Sequence, residues 1–271
     1  MIDKLTNMKR IFAFLIMCLV VIAALAQENT RIKVEYTERY QNWTGSNKKE
    51  KMMLLADGDK SHYYCPMSLV VDSMLSTPEG TVQFNSMVEA ANAAGQRPSL
   101  LPGSRTYVVK NFKDGNTVYY GEAAGELGHY DEKMDELNWE ITDSSRTILG
   151  YECISAETDY HGRHWKAWFA PEIPVHDGPW KLCGLPGLIL LADADNGKYR
   201  FEATGIEVTD RPFPPKMYGH ALSTPAKRKD MLSLQWTFYN NSGAQMNAAY
   251  GTSWQDVPLP EGFDLIETDY K

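Results

Sequence analysis

Apolar and polar residues alternate with a period of two over residues 31–40, where Ile32, Val34 and Tyr36 oppose Arg31, Lys33 and Glu35. That is the pattern of a strand with one buried face. Residues 51–56 and 61–65 flank Asp57-Gly58, a strong turn signal, and predict a β-hairpin that Pro66 ends. The period then changes. Thr77 as N-cap, Pro78 at the first helical position and Glu79 in the first turn precede Phe84, Met87, Val88 and Ala91 at helical spacing, so an amphipathic helix is predicted to about Ala94. Prolines and glycines over 95–103 break it. A second hairpin is expected at 106–112 and 117–120 around Asp114-Gly115, followed over 121–136 by an acidic, glycine-containing loop. Trp139 resumes the sheet, with further strands expected at 148–156, 164–169, 188–192 and, after the turn Asn196-Gly197, 199–203. Thr224-Pro225 introduces a C-terminal helix over 227–239, and an extended edge strand is expected at 263–266. Short, closely spaced β-elements imply an antiparallel sheet, so the fold class is mainly β with helices, α+β.

One stretch stands apart. In Asp177-Gly178-Pro179-Trp180-Lys181-Leu182-Cys183-Gly184-Leu185-Pro186-Gly187-Leu188-Ile189-Leu190, residues 185–188 fit a type II turn. Pro186 presets φ at the second position and Gly187 supplies a positive φ at the third. The apolar run 188–191 behind it reads as a strand covered on both faces.

The N-terminus changes the compartment. Lys4, Lys9 and Arg10 precede an apolar run over 11–25 that ends in Ala24-Leu25-Ala26, the form of a signal peptide cleaved near Ala26/Gln27. Export to the periplasm or the cell surface follows, with 27–271 as a single domain in which no stretch reads as a transmembrane span. The chain of 271 residues carries a net charge of −8, and losing the basic leader makes it more acidic. That argues against nucleic acid or an anionic membrane as partner. Of four cysteines, Cys65, Cys153 and Cys183 lie beyond the leader. Either Cys153 and Cys183 form a disulfide, or all three are buried thiols.

Candidate chemistry is sparse. His161 and His164 lack a companion set of ligands in sequence, and Asp193, Asp195, Asn196 and Gly197 lack the closing Glu of a calcium loop, so both read as turns and no metal or other cofactor is assigned. There is neither a nucleophile elbow nor an H-E-x-x-H motif. Alternation along 164–169 puts Trp165, Ala167 and Phe169 on one face and His164, Lys166 and Trp168 on the other. Lys166 and Trp168, with Arg200 and Glu202 on a neighbouring strand, form either an exposed partner patch or a surface covered by the C-terminal helix. Asp177, Arg163 and Trp180 are candidates for a polar cluster under the Pro-Gly turn, Asp177 accepting backbone N–H bonds or pairing with Arg163.

Several ordered segments carry a resemblance. Trp139-Glu140-Ile141, residues 148–153, residues 162–169, Pro171-Glu172-Ile173-Pro174, Asp177-Gly178-Pro179-Trp180 and Gly184-Leu185-Pro186-Gly187-Leu188-Ile189 resemble the GLPGLI family of exported Bacteroidota proteins. That family is similar to the accessory N-terminal domain of a peptide-N-glycosidase. The resemblance implies no established activity. It implies a curved antiparallel sheet or half-barrel, like that of lipoprotein carriers, curled around the helix at 78–94 with an apolar cavity between them. The expected function is a non-enzymatic envelope binding or carrier protein for an apolar small molecule or an envelope protein. The alternative is an accessory adhesion or targeting module for glycoproteins or glycans.

Overall fold

The computed structural model describes residues 31–95, 104–134, 137–214, 223–251, 253 and 255–270; the expected leader at 1–26 lies outside them. Strands β1 (Arg31–Gln41), β2 (Asn47–Ala56) and β3 (Lys60–Tyr64) lead into helices α1 (Pro66–Leu75) and α2 (Pro78–Ala93). Then come β4 (Tyr107–Asn111), β5 (Asn116–Ala123), β6 (Glu126–Lys133), β7 (Glu140–Ile148), β8 (Tyr151–Tyr160) and β9 (Arg163–Ala170). A long connection reaches β10 (Leu188–Ala194) and β11 (Tyr199–Thr209); β12 (Thr224–Pro225), α3 (Arg228–Asn240) and α4 (Ser242–Tyr250) complete the order.

All twelve strands join one open sheet in the order β12-β6-β5-β4-β3-β2-β1-β11-β10-β9-β8-β7. Pairing is antiparallel except for β12, which runs parallel to β6. Alternation in β1 divides the sheet into two faces. Val34 and Tyr36 stand opposite Leu54 and Met52 of β2, and Tyr36 stands opposite Ala203 of β11. Rings interlock across this face: Tyr63 packs edge-on against Tyr36 and Phe201, with centroids 6.2 and 6.3 Å apart, and Trp165 stacks on Phe201 at 5.9 Å. Burying each such side chain contributes about 1.5–3 kcal/mol. The β9–β10 connection adds Ile173, Trp180, Leu182 and Leu185 to the same core. No helix among the described residues is long and apolar enough to cross a membrane.

The local signals place most elements. Thr77 caps α2 by accepting a hydrogen bond from the Gly80 amide, with Pro78 opening the helix. Four expectations are corrected. The sheet does not wrap α2, which buries no residue and packs on α1, because the β9–β10 connection and the C-terminal segment occupy the core face instead. Pro66 starts α1 rather than merely ending a hairpin. The acidic stretch after β5 holds a strand: Ala124 and Gly125, both with positive φ, turn the chain into β6. Residues 263–266 are not a strand but part of a segment pinned across the sheet, where Arg163 Nε donates to the Ile266 carbonyl at 2.8 Å and the Thr268 amide donates to His161 O at 2.9 Å.

The Pro-Gly corner also differs in detail from a type II turn. The Gly187 amide donates to Leu185 O at 2.8 Å, while the Leu188 amide leaves the turn for Ile173 O at 3.1 Å. Gly187 takes φ +155° and lies against the backbone of β9, where a Cβ would come 2.3 Å from Ala170 O. Gly184, at φ +90°, faces open space. Cys153 and Cys183 do not form the expected bridge; with Cys65 they are buried free thiols, and burial pushes the Cys153 and Cys183 thiols up to about 11.

Gly187→Val is expected to cost about 3 kcal/mol or more because backbone must move. Gly184→Ala should cost about 1 kcal/mol, from the left-handed φ alone. Urea unfolding of the two variants checks this contrast, and equal losses would contradict it.

Candidate functional site

A buried connection must satisfy its backbone polar groups without water. Here a lysine from the sheet does part of this. Lys110 of β4 is fully buried and forms an ion pair with Asp177, while its ammonium donates to Gly178 O at 2.8 Å and Leu182 O at 3.3 Å. The Asp177 carboxylate also accepts the Gly178 amide at 2.7 Å. Tyr36 donates to Ile189 O at 2.6 Å, and Trp139 Nε1 to Cys183 O at 2.9 Å. Held at these points, the connection presents Trp180 with φ +52°, a conformation rare for a bulky side chain. Its ring stacks on Trp165 at 5.5 Å.

The next residue, Lys181, begins a second buried network. Its ammonium contacts Glu132 at 2.5 Å, Glu267 at 2.8 Å and the Tyr130 hydroxyl at 2.9 Å. Arg228 of α3 bridges Glu267 at 2.5 Å and Asp269 at 2.7 Å. Burial opposes ionisation of Glu267, but Lys181, His161 and Arg228 outweigh it and hold the carboxyl below its ordinary value. Its hydrogen bonds with Arg228 bring Asp269 down to about 2. His161 lies 3.4 Å from Asp269 and 3.8 Å from both Glu132 and Glu267, and burial lowers its pKa. His161 sits in the β8–β9 hairpin turn that the sequence predicts, and the carboxylates around it come from β6 and the C-terminal segment. His161, Glu267 and Asp269 are close enough to ligate one ion, but Lys181 and Arg228 already contact Glu267 and Asp269, so the cluster works as a knot joining the connection, β6, α3 and the C-terminal segment.

Beside this knot lies a cavity of about 480 Å³ between the sheet, α3 and the C-terminal segment. Tyr40, Trp43, Tyr119, Trp180, Tyr199, Tyr239 and Phe263 supply aromatic wall; Glu38, Arg105, Glu122, Gln235 and Glu267 supply polar groups. Tyr40 stacks on Tyr199 at 6.1 Å, and Trp43 on Tyr239 at 5.5 Å, so the second pair ties the β1–β2 turn to α3. Glu38 is the exception among the charges. It is 9 % exposed, and its Oε2 has no hydrogen-bond partner among the described residues. Burial, then the charge of Glu50 opposite it on β2, push its carboxyl up to about 8; the Tyr63 hydroxyl eases it slightly without reaching hydrogen-bond geometry. The signal for Glu38 was present in the sequence: it continues the inward phase of Val34 and Tyr36, where a carboxylate is out of place.

The structure distributes the other candidate residues. Trp180 lines the cavity. Asp177 pairs with Lys110, not with Arg163. Arg163 instead ties Asp195 and Asp264 together and donates to Leu265 O, anchoring the C-terminal segment. Lys166 and Trp168 lie on the opposite face of the sheet from Trp165, so they do not join Trp180. There Lys166 pairs with Glu157 at 2.7 Å, and Trp168, 9 % exposed, lies under the Arg146 guanidinium at 4.6 Å. Neither an open aromatic patch nor a covering C-terminal helix describes that surface, since α3 packs on β5 and β6. Gly184, Leu185, Pro186, Gly187, Leu188 and Ile189 form the corner, with Leu185, Leu188 and Ile189 fully buried.

Residues 160–191, which run from the end of β8 through the buried connection to β10, match a family model described as "Protein of unknown function (Porph_ging)". No curated protein matches the chain by sequence. Among solved structures the fold is similar to PNGF-II in a C2 crystal form, with 14% identity, a TM-score of 0.51, and 76% of this chain and 33% of that chain covered. A P21 crystal form of PNGF-II gives 14% identity and a TM-score of 0.48 over the same shares. The chain therefore spans about a third of the length of PNGF-II.

Removing one member of a buried pair leaves an uncompensated charge. Lys110→Met is expected to destabilise by about 3–5 kcal/mol, and Lys110→Met with Asp177→Leu to recover a large part, measured by urea unfolding. Glu38 behaves in the opposite sense. Its folded pKa is raised above the unfolded value, so its favourable contribution is present below about pH 4.5 and is lost as pH rises toward about 8. Glu38→Gln should leave the melting temperature unchanged at pH 4 and raise it at pH 8; a fall at pH 8 would show that the carboxylate is compensated.

Proposed function

We propose that this chain is an exported GLPGLI-type binding protein whose cavity between sheet and C-terminal segment holds a small ligand. The observation that carries the reading is the cavity itself: about 480 Å³, walled by aromatic rings and a few polar groups, the usual character of a small-molecule site. Its mixed lining favours an amphipathic molecule over a purely apolar one. The leader motif supports release into the periplasm or onto the cell surface, with 27–271 as the working domain. A second reading, an accessory module that targets glycoproteins or glycans, is supported by the likeness of this fold to one third of the longer PNGF-II chain.

Native mass spectrometry on protein purified from its own envelope tests the first reading. The wild type is expected to carry a bound mass, and Trp43→Ala, which removes the ring stacked on Tyr239, to lose it while still unfolding cooperatively. Wild-type protein that is uniformly ligand-free would count against a carrier. Selective capture of glycosylated over deglycosylated envelope proteins would then favour the module.

A further inference from the structure

The cavity is unevenly charged, and the imbalance indicates what it holds. Three of the four cations in or beside it are already committed. Arg105 contacts Asp72 and Glu122, and Lys181 and Arg228 belong to the knot around Glu267. Lys48 lies on the wall shared with a second, lysine-rich groove lined also by Arg39, Lys49 and Lys198. Glu38 has no such partner. The groups facing it are Tyr40 on its own strand, Glu50 of β2, Tyr63 of β3, Tyr119 of β5 and Tyr199 of β11. Four of these are phenols and one is a carboxylate, and no cation is among them. Aromatic rings present negative faces, and a buried carboxylate needs a counter-charge.

Building on the binding-protein reading, we propose that the cavity takes an organic ammonium group, with Glu38 as its counter-ion and the surrounding aromatic rings as its cage. The groups match one another chemically. Aromatic faces attract a desolvated alkylammonium, and the Glu38 carboxylate at the cavity wall supplies the counter-charge. An anionic ligand would instead be pressed against the Glu38 carboxylate. Binding releases the proton that burial keeps on Glu38 in the empty cavity, so the ammonium and the proton compete for one carboxylate.

Calorimetric titration of the full chain with choline, and with its neutral carbon isostere 3,3-dimethylbutan-1-ol, tests this directly. Choline is expected to bind at least about tenfold more tightly than the isostere. Its affinity should rise by about tenfold per pH unit between pH 6 and pH 7.5, as the proton becomes easier to displace. Glu38→Gln, checked for an unchanged or raised melting temperature, should abolish both the preference and the pH dependence. Equal binding of choline and isostere, or a preference that survives in Glu38→Gln, overturns the proposal. So does binding of the neutral disaccharide N,N′-diacetylchitobiose without choline, an outcome that leaves the broader binding reading standing. Binding of none of the three probes also overturns the ammonium assignment, and the native mass measurement then decides whether the binding reading falls with it.

Discussion

A connection of irregular backbone laid across the middle of a sheet must find partners for its N–H and C=O groups where water does not reach. The segment between β9 and β10 is such a connection, and Lys110 with Asp177 is the interaction that makes its burial possible. One ammonium neutralises the carboxylate and satisfies two carbonyls, while the carboxylate closes on the Gly178 amide. Taken out of water, neither charge is tolerable alone. Once the connection is seated, Trp180 and Lys181 follow in fixed positions. The first becomes cavity wall and the second the centre of the knot that holds β6, α3 and the C-terminal segment.

This arrangement explains which parts of the molecule were legible in sequence. Local signals worked where local physics decides the outcome: the period-two alternation of β1, the Thr77-Pro78 start of α2, and the Asp-Gly turns. They failed where a residue's fate depends on partners far along the chain. Lys110 and Gly178 are 68 positions apart, and Lys181 and Glu267 are 86 apart. A lone charged residue is normally read as surface, so nothing local marks these as core. The same limit separates Trp168 from Trp180, because strand alternation cannot be counted across the irregular connection between them. Pro66 was ambiguous for another reason, since proline both ends a strand and opens a helix.

The cavity inherits its character from this construction. Lys110, Lys181, Arg163 and Arg228 are each matched with carboxylates, so the protein compensates its buried charges with care. Glu38 breaks that rule at the wall of a cavity lined by aromatic rings. Departures of this kind are expected where binding, not stability, fixes the residue. Trp180, held in an unfavourable backbone conformation at the wall of the same cavity, fits the same logic. On the side of the sheet that carries Lys166 and Trp168, cross-strand ion pairs and the Arg146 guanidinium lie over the strands.

The character of the cavity therefore turns on one carboxyl group. Titration of Glu38 by carboxyl ¹³C NMR, assigned with the Glu38→Gln variant, measures its environment directly in the ligand-free protein. A midpoint near pH 8 is predicted for a buried carboxyl without a counter-charge. A midpoint in the ordinary range around pH 4.5 would mean that Glu38 is hydrated or paired, and would contradict the account of the cavity.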